Sequence, residues 1–182
     1  STSTLAIDYY YSTIRQKGKE IDLQRQGIYE NSAIDKTKEV QLVKVEMLDQ
    51  DNCPIINLRT WDSLILKIQY WAKTDIASGS VEIQISDSLG TKLLRFSTKP
   101  DSNIPLTLKK GYSQISCEIN KFPLAAGNYW IGCGLAIPNK KWLWFDEKLA
   151  MITVQPRDVF KSGLAPINSR ALFAVDHRWK IG

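Results

Sequence analysis

WDSLILKIQYWAK, residues 61–73, is the clearest strand signal in the chain. Apolar and polar side chains alternate along this stretch, which is the period-two pattern of a strand with one buried face. The face that we expect to be buried carries Leu64, Leu66, Ile68, Tyr70 and Ala72. Since a sheet with one apolar face needs a second layer to cover it, the stretch indicates layered β structure.

The same alternation recurs along most of the chain. Turn-forming residues such as Asp49-Gln50-Asp51-Asn52 separate the alternating segments, and no segment has a convincing amphipathic helical pattern. The other expected strands are residues 38–48, 81–86, 91–97, 111–120, 127–137, 142–145 and 149–154. The pattern predicts an all-β protein, with an immunoglobulin-like antiparallel β-sandwich over residues 38–182 and a linker or N-terminal arm at residues 1–37.

The C-terminal end carries more apolar surface than a minimal sandwich needs. Residues 170–181 alternate as a further strand, with Phe173, Val175 and Trp179 on one side. Such a strand needs a sheet edge with which to pair, in the same protomer or in a neighbour. Exchange of the strand between two protomers would give a homodimer.

Composition and charge disfavour several classes of protein. The 182 residues carry 24 Lys and Arg against 19 Asp and Glu, a formal net charge of +5, and these charges are interleaved. Interleaving disfavours a nucleic-acid binder, which gathers its basic residues on one surface. The longest apolar stretches are broken by Lys, Gln or Asp, so we expect no transmembrane helix. The N-terminus has no signal-peptide pattern and no initiator Met, which suggests a piece of a longer protein.

Three cysteines and one histidine leave little scope for disulfide or metal chemistry. The spacing of Cys53, Cys117 and Cys133 fits no zinc pattern, and His177 is far from all three in sequence. Alternation places Cys117 and Cys133 on inward faces. Two alternatives remain for them, a disulfide between the sheets or two buried thiols. The burial habits of cysteine favour the thiols. We therefore expect a reducing, cytoplasmic setting and no metal or cofactor.

Sequence motifs for catalysis are absent. The chain contains no P-loop, nucleophile elbow, zinc-protease motif or glycine-rich dinucleotide turn. A carboxylate pair for glycoside hydrolysis remains open, because Glu82, Glu118 and Asp146 are all expected to face outward. Outward acids on a sandwich are usually just solvated, so the sequence favours a binding module over an enzyme.

The outward residues of two strands suggest what such a module binds. Trp130 is expected to face outward beside Gly132 and Gly134, which predicts a shallow trough over the sheet. Trp142 and Trp144 lie two residues apart, so we expect them on one face. The expected glycan-binding set is Trp130, Trp142 and Trp144 as stacking plates, with Glu82, Gln84, Asn128 and Asp146 as hydroxyl partners. A protein interface, or coverage by the arm or a second protomer, remains an alternative for this aromatic face.

Four segments link the chain to a known family. They are VKVEMLD at 43–49, LILKIQY at 64–70, VEIQISDSLG at 81–90 and FPLAAGNYWI at 122–131. Through them the chain, from about residue 38 to residue 182, resembles the C-terminal carbohydrate-binding domain of Wzt-type O-antigen ABC transporter ATPases.

The resemblance implies a non-catalytic domain fused behind an ATPase domain, on the cytoplasmic side of the inner membrane. It implies recognition of the end of a completed lipid-linked O-polysaccharide, for export during lipopolysaccharide biosynthesis through the transporter's membrane subunit. It also implies a homodimer in which the C-terminal strand is exchanged. An alternative is a protein-interaction or dimerisation module attached to a glycan-processing enzyme. No binding residues carry over from the family, so the set above rests on the outward faces alone.

Overall fold

The computed structural model of the chain describes residues 29–55 and 57–182, and the regular elements in this part are all β-strands. The strands are β1 (Tyr29–Glu30), β2 (Val40–Leu48), β3 (Leu58–Arg59), β4 (Leu64–Ala72), β5 (Ile76–Ser86), β6 (Lys92–Ser97), β7 (Leu106–Leu108), β8 (Gly111–Ile119), β9 (Gly127–Ile137) and β10 (Lys141–Gln155). Most of the predicted N-terminal arm, residues 1–28, lies outside the described residues. Within the described part, no helix is long and apolar enough to cross a membrane.

The strands form two sheets. One is four-stranded, in the order β1-β2-β4-β8. The other is six-stranded, in the order β3-β10-β9-β5-β6, with β7 paired to β5. The short β3 runs parallel to β10, whereas the other neighbours are antiparallel. Two sheets with a shared apolar core confirm the predicted β-sandwich.

The core lies between the sheets and is built from the alternating residues. Along β4, Leu64, Leu66 and Ile68 are at most 1% exposed, as the alternation predicts. The position of Tyr129 at the start of β9 predicts a hydrogen bond back to the preceding chain. Its hydroxyl donates to the backbone oxygen of Ala125 at 2.9 Å, which confirms that prediction and anchors the entry to β9.

All three cysteines carry free thiols. Cys133 is buried in β9, Cys117 is half-buried in β8 of the other sheet, and Cys53 is exposed in a turn. The preference for thiols over a disulfide is therefore confirmed. Burial raises the pKa of the Cys133 thiol to about 12. Burial, together with the neighbouring Glu118 charge, also raises the pKa of Cys117.

The C-terminal segment differs from its prediction. Within the single chain, residues 170–181 do not extend a sheet, and Phe173 makes only an isolated bridge to Leu124. Ala174 is buried, and its amide donates to the oxygen of Pro123 at 2.8 Å. Alternation alone does not make a strand, because a strand also needs a row of backbone partners. The loop that contains Pro123 and Leu124 supplies only isolated ones. Exchange of the segment into a second protomer stays a prediction.

Candidate functional site

The outer face of the six-stranded sheet brings the predicted glycine strip next to two predicted hydroxyl partners. β5 and β9 are neighbours, and their register sets Glu82 opposite Gly134 and Gln84 opposite Gly132. Side chains of opposite residues in an antiparallel pair lie on the same face. The strip and the two polar residues therefore share one surface.

The predicted trough over this strip is filled rather than open. The rings of Trp142 and Phe145 lie 4.6 Å apart, centroid to centroid, and cover Gly134. A Cβ added to Gly134 would lie 2.9 Å from the Phe145 ring and would also collide with Trp142. The missing side chain at Gly134 thus lets two aromatic rings of β10 close onto the backbone of β9. This corrects the prediction of an empty surface.

Trp142 and Trp144 do not share a face. Trp142 pairs with Ala136, but Trp144 already pairs with Leu135, so β10 has one extra residue between them. Such a bulge reverses the alternation from that point on. The ring of Trp144 packs against the core and lies 6.3 Å from that of Tyr29. The ring of Trp144 is therefore partly covered by Tyr29 of β1. Coverage by the N-terminal arm is one of the alternatives for this aromatic face.

A groove of about 350 Å³ opens beside Trp142 on the outer face. Trp142 is 48% exposed, and Glu82 lies in the same lining. The other charged side chains of the lining are all cationic: Arg95, Lys99, Lys140 and Lys141. The groove thus combines an accessible aromatic plate, one carboxylate and an excess of positive charge.

Hydrogen bonds hold two of these cations in place. A guanidinium nitrogen of Arg95 lies 2.7 Å from a carboxylate oxygen of Asp101, and the Ser97 hydroxyl donates to the other oxygen at 2.8 Å. These bonds lower the pKa of Asp101, and the Asp101 bond and charge raise the pKa of Arg95. Lys141 pairs with Glu39 at 2.6 Å, next to the start of β2. Both cations are therefore oriented by a carboxylate partner.

A short irregular segment of β10 covers the rest of the strip. Asp146 pairs with Cys133, but the next pair is Ala150 with Ile131, so the residues between them bulge outward opposite Gly132. We call Asp146–Lys148 the strap. A Cβ on Gly132 would lie 2.9 Å from the strap backbone, at the oxygen of Asp146 and at Cα and the oxygen of Glu147.

Two predicted contact residues lie beside or beneath the strap. Gln84, opposite Gly132, is only 2% exposed, and its amide atoms have no hydrogen-bond partner. The ammonium of Lys148 lies 5.8 Å above the ring of Trp130, which is half-buried. In this arrangement Gln84 is not accessible to a ligand, contrary to its prediction as an outward hydroxyl partner, because the tertiary path of β10 hides it.

The remaining predicted residues lie elsewhere. The amide oxygen of Asn128 accepts a hydrogen bond from the Thr153 hydroxyl at 2.8 Å, and Asn128 is about 20 Å along β9 from Gly134. Asp146 pairs with the inward-facing Cys133. Burial is the first cause that raises the pKa of Tyr29, the neighbour of Trp144, and the charge of Asp146 is the second. The structure therefore brings Glu82 and Trp142 together in the groove and places Gln84 and Trp130 at the strap, whereas Trp144, Asn128 and the side chain of Asp146 lie away from the groove.

The Glu82–Glu118 pair of the hydrolase alternative has no geometric support. Glu82 lies on the outer face of the six-stranded sheet, whereas Glu118 is an outward residue of β8 in the four-stranded sheet. The two carboxylates are thus on opposite sides of the sandwich and cannot flank one glycosidic bond. Across residues 29–55 and 57–182, no group of His, Cys, Asp and Glu could hold a metal ion.

Sequence reasoning missed the cationic half of the groove. Arg95 lies in the expected strand at residues 91–97, and in the structure it pairs with Gln84 on the neighbouring β5. Lys140 and Lys141 gave no signal. They reach the groove only because the turn between β9 and β10 folds back over Ala136.

Comparisons with known proteins identify the family and the fold. The family described as the Wzt C-terminal domain matches residues 31–165. The crystal structure of the C-terminal domain of Wzt is similar over 76% of this chain and 86% of that chain, with a TM-score of 0.62 and 12% identity. A GH3 β-glucosidase from Bifidobacterium adolescentis covers 68% of this chain and 19% of its own, at a TM-score of 0.32 and 11% identity, too low to support an argument. None of the curated proteins matches the chain in sequence.

Proposed function

Because the chain belongs to the family of Wzt C-terminal domains, we propose that it is a non-catalytic reader of a lipid-linked O-antigen polysaccharide. Its ligand is the terminal, non-reducing end of the glycan, and binding selects the finished polymer for export by an ABC transporter. In this proposal the partners are the ATPase domain of the parent subunit and the transporter's membrane subunit. The domain then works on the cytoplasmic side of the inner membrane.

The groove beside Trp142 is the observation that carries the proposal. The exposed part of the Trp142 ring offers a flat apolar surface on which the C–H face of a pyranose can stack. The Glu82 carboxylate accepts hydrogen bonds from sugar hydroxyls, and the guanidinium of Arg95 donates them. An aromatic plate between fixed acceptors and donors is the chemistry that a saccharide requires.

Replacing Trp142 by alanine is expected to weaken binding of O-polysaccharide from the source strain roughly five- to thirtyfold, which corresponds to about 1–2 kcal/mol. The ring is nearly half exposed, so its loss should leave the urea midpoint of unfolding almost unchanged. Isothermal titration calorimetry with the purified polysaccharide measures the affinity.

Tyr112→Ala is the matched control, because Tyr112 is a 68% exposed aromatic residue on β8 of the other sheet. We expect it to bind as the unaltered protein does. Equal affinity of Trp142→Ala and the unaltered protein would refute the groove as the site. Failure of the folded, unaltered protein to bind any of this polysaccharide would refute the proposed function and favour the protein-interaction alternative.

The exposed C-terminal residues support a homodimer as a second proposal. Val175, Trp179 and Ile181 are 66%, 87% and 97% exposed and alternate in sequence as a strand would. Exposed apolar side chains in a row favour burial against another chain. We propose that residues 175–182 pair with a second protomer, which would also place two glycan sites on one particle and raise the avidity.

Deletion of residues 175–182 is expected to halve the mass in solution, measured by light scattering after gel filtration. The deletion keeps Ala174, whose oxygen accepts a hydrogen bond from Nε1 of Trp61 at 2.8 Å, so the fold should survive. Affinity for a short oligosaccharide should stay the same, since the groove lies outside the deleted segment. A truncated chain that remains dimeric would show that another surface forms the dimer.

A further inference from the structure

The side-chain amide of Gln84 is buried without hydrogen-bond partners, which proteins usually avoid. In the part of the chain that the structure describes, its Nε2 and Oε1 are the only buried side-chain nitrogen or oxygen atoms without a hydrogen-bond partner. Leaving both groups of a buried amide unpaired is costly, and such exceptions often mark functional sites. The amide would gain partners in any state in which its cover is removed.

The cover over this part of the sheet is the strap, and its attachment there is slight. Glu147 reaches across to Lys92 of β6, with 3.4 Å between the charged atoms, and both side chains are more than half exposed. Exposed ion pairs of this kind contribute little to stability. A second side-chain contact is the ammonium of Lys148 over Trp130 at 5.8 Å, and the strap backbone lies against Gly132. At either end of the strap β10 pairs with β9 again, Asp146 with Cys133 and Ala150 with Ile131.

The surface beneath the strap continues the groove. Gln84 follows Glu82 by two residues on the same face of β5, a spacing of about 7 Å. Trp130 lies on the neighbouring β9, opposite Ser86. A planar amide both donates and accepts, so it can bind adjacent hydroxyls of one sugar ring. With the strap lifted, the aromatic ring of Trp142 and the carboxylate of Glu82 would be followed by a second aromatic and polar pair, Trp130 and Gln84.

We propose that the strap is a lid over a second saccharide subsite, formed by Gln84 and Trp130. The inference rests on the proposed function, because the occupant is the next sugar of the same polysaccharide. The lid lifts between its two paired ends when the glycan enters from the groove, and the Gln84 amide then forms hydrogen bonds to sugar hydroxyls.

Gln84→Leu tests the lid directly. Leucine removes the unpaired amide and fills the same space with apolar surface, so the closed strap becomes more stable. Amide hydrogen exchange across residues 146–149, measured by mass spectrometry, should slow at least fivefold. Binding of O-polysaccharide from the source strain should weaken at least tenfold. Gln114→Leu is the matched control, since Gln114 is an exposed amide on β8, and it should change neither quantity.

Glu147→Ala weakens the attachment of the strap, whereas Gln84→Leu strengthens it. Glu147→Ala also provides a test if Gln84→Leu does not fold. Loss of the contact to Lys92 should speed exchange of the strap and leave polysaccharide binding equal or tighter. The lid is overturned if Gln84→Leu binds and exchanges as the unaltered protein does, or if Glu147→Ala weakens polysaccharide binding. If the unaltered protein does not bind the polysaccharide, the proposed function is overturned. If the unaltered protein and Gln84→Leu bind it equally well, only the lid is overturned.

Discussion

In the native protein at pH 8, the thiol of Cys133 is expected to react with a disulfide reagent about a thousandfold more slowly than it does in the unfolded chain. The thiolate is the reacting species, and complete burial of Cys133 in β9 raises the pKa of its thiol from about 9 to about 12. Three pKa units change the thiolate fraction about a thousandfold, before any steric protection is counted.

A reagent that releases a coloured thiol follows the reaction in time. Cys53 is exposed and should react at once, the half-buried Cys117 should react slowly, and Cys133 should appear only when denaturant is added. Cys53→Ser identifies the fast phase. Rapid modification of all three thiols in native buffer would contradict the burial of Cys133.

The same shift links stability to alkaline pH. Because the folded-state pKa of Cys133 lies above its unfolded value, the neutral thiol favours the fold below about pH 9. This contribution is lost as the pH rises from about 9 to about 12. Lysines also titrate in this range, so the measured quantity is the difference in unfolding free energy between the unaltered protein and Cys133→Ala across that window. A difference that does not vary with pH would contradict the shift.

Replacing Gly132 by valine is expected to lower the free energy of unfolding by about 1–3 kcal/mol, the usual cost of overpacking, because the added side chain forces the strap out of its closed position. A Cβ at this position would lie 2.9 Å from backbone atoms of Asp146 and Glu147, and backbone cannot rotate aside as a side chain can. The strap must lift or β9 must bend. Urea unfolding measures the loss, and faster hydrogen exchange in the strap should accompany it.

Gly134→Val provides the contrast. The neighbours of Gly134 are the rings of Trp142 and Phe145, which can swing outward, so we expect a smaller loss of stability. The displaced Trp142 should however lose its place in the groove and weaken polysaccharide binding. Equal destabilisation by the two substitutions would show that the strap backbone is no more rigid than the two rings.

The faces of the strands could be predicted because their cause is local. Side chains alternate along any extended strand, so Leu64 and Ile68 on β4, and Tyr129 and Cys133 on β9, are assigned to the core from their own neighbours in sequence. These assignments need no distant contact. An immunoglobulin-like strand order also favours β5 and β9 as neighbours, whereas the register that sets Glu82 opposite Gly134 is decided by the tertiary structure.

The candidate site could be predicted only in part, because β10 departs from regular pairing twice. The extra residue before Trp144 turns that ring to the Tyr29 side, and the bulge after Asp146 carries the strap over Gln84. Neither irregularity has a local sequence signal. Each arises from the way in which β10 must match β9 while its apolar residues, Leu149 and Ala150, still reach the core.

The amino-acid sequence by itself determined that this chain is an all-β sandwich with an aromatic, polar outer face, since period-two alternation is written residue by residue. The tertiary structure alone decided which of those outward residues meet. It placed Trp142 over Gly134, joined Glu82 to the cations of the groove, and buried the amide of Gln84. The physical reason is that contacts across a sheet depend on strand order and register, and a single inserted residue in β10 moves a side chain from one face to the other.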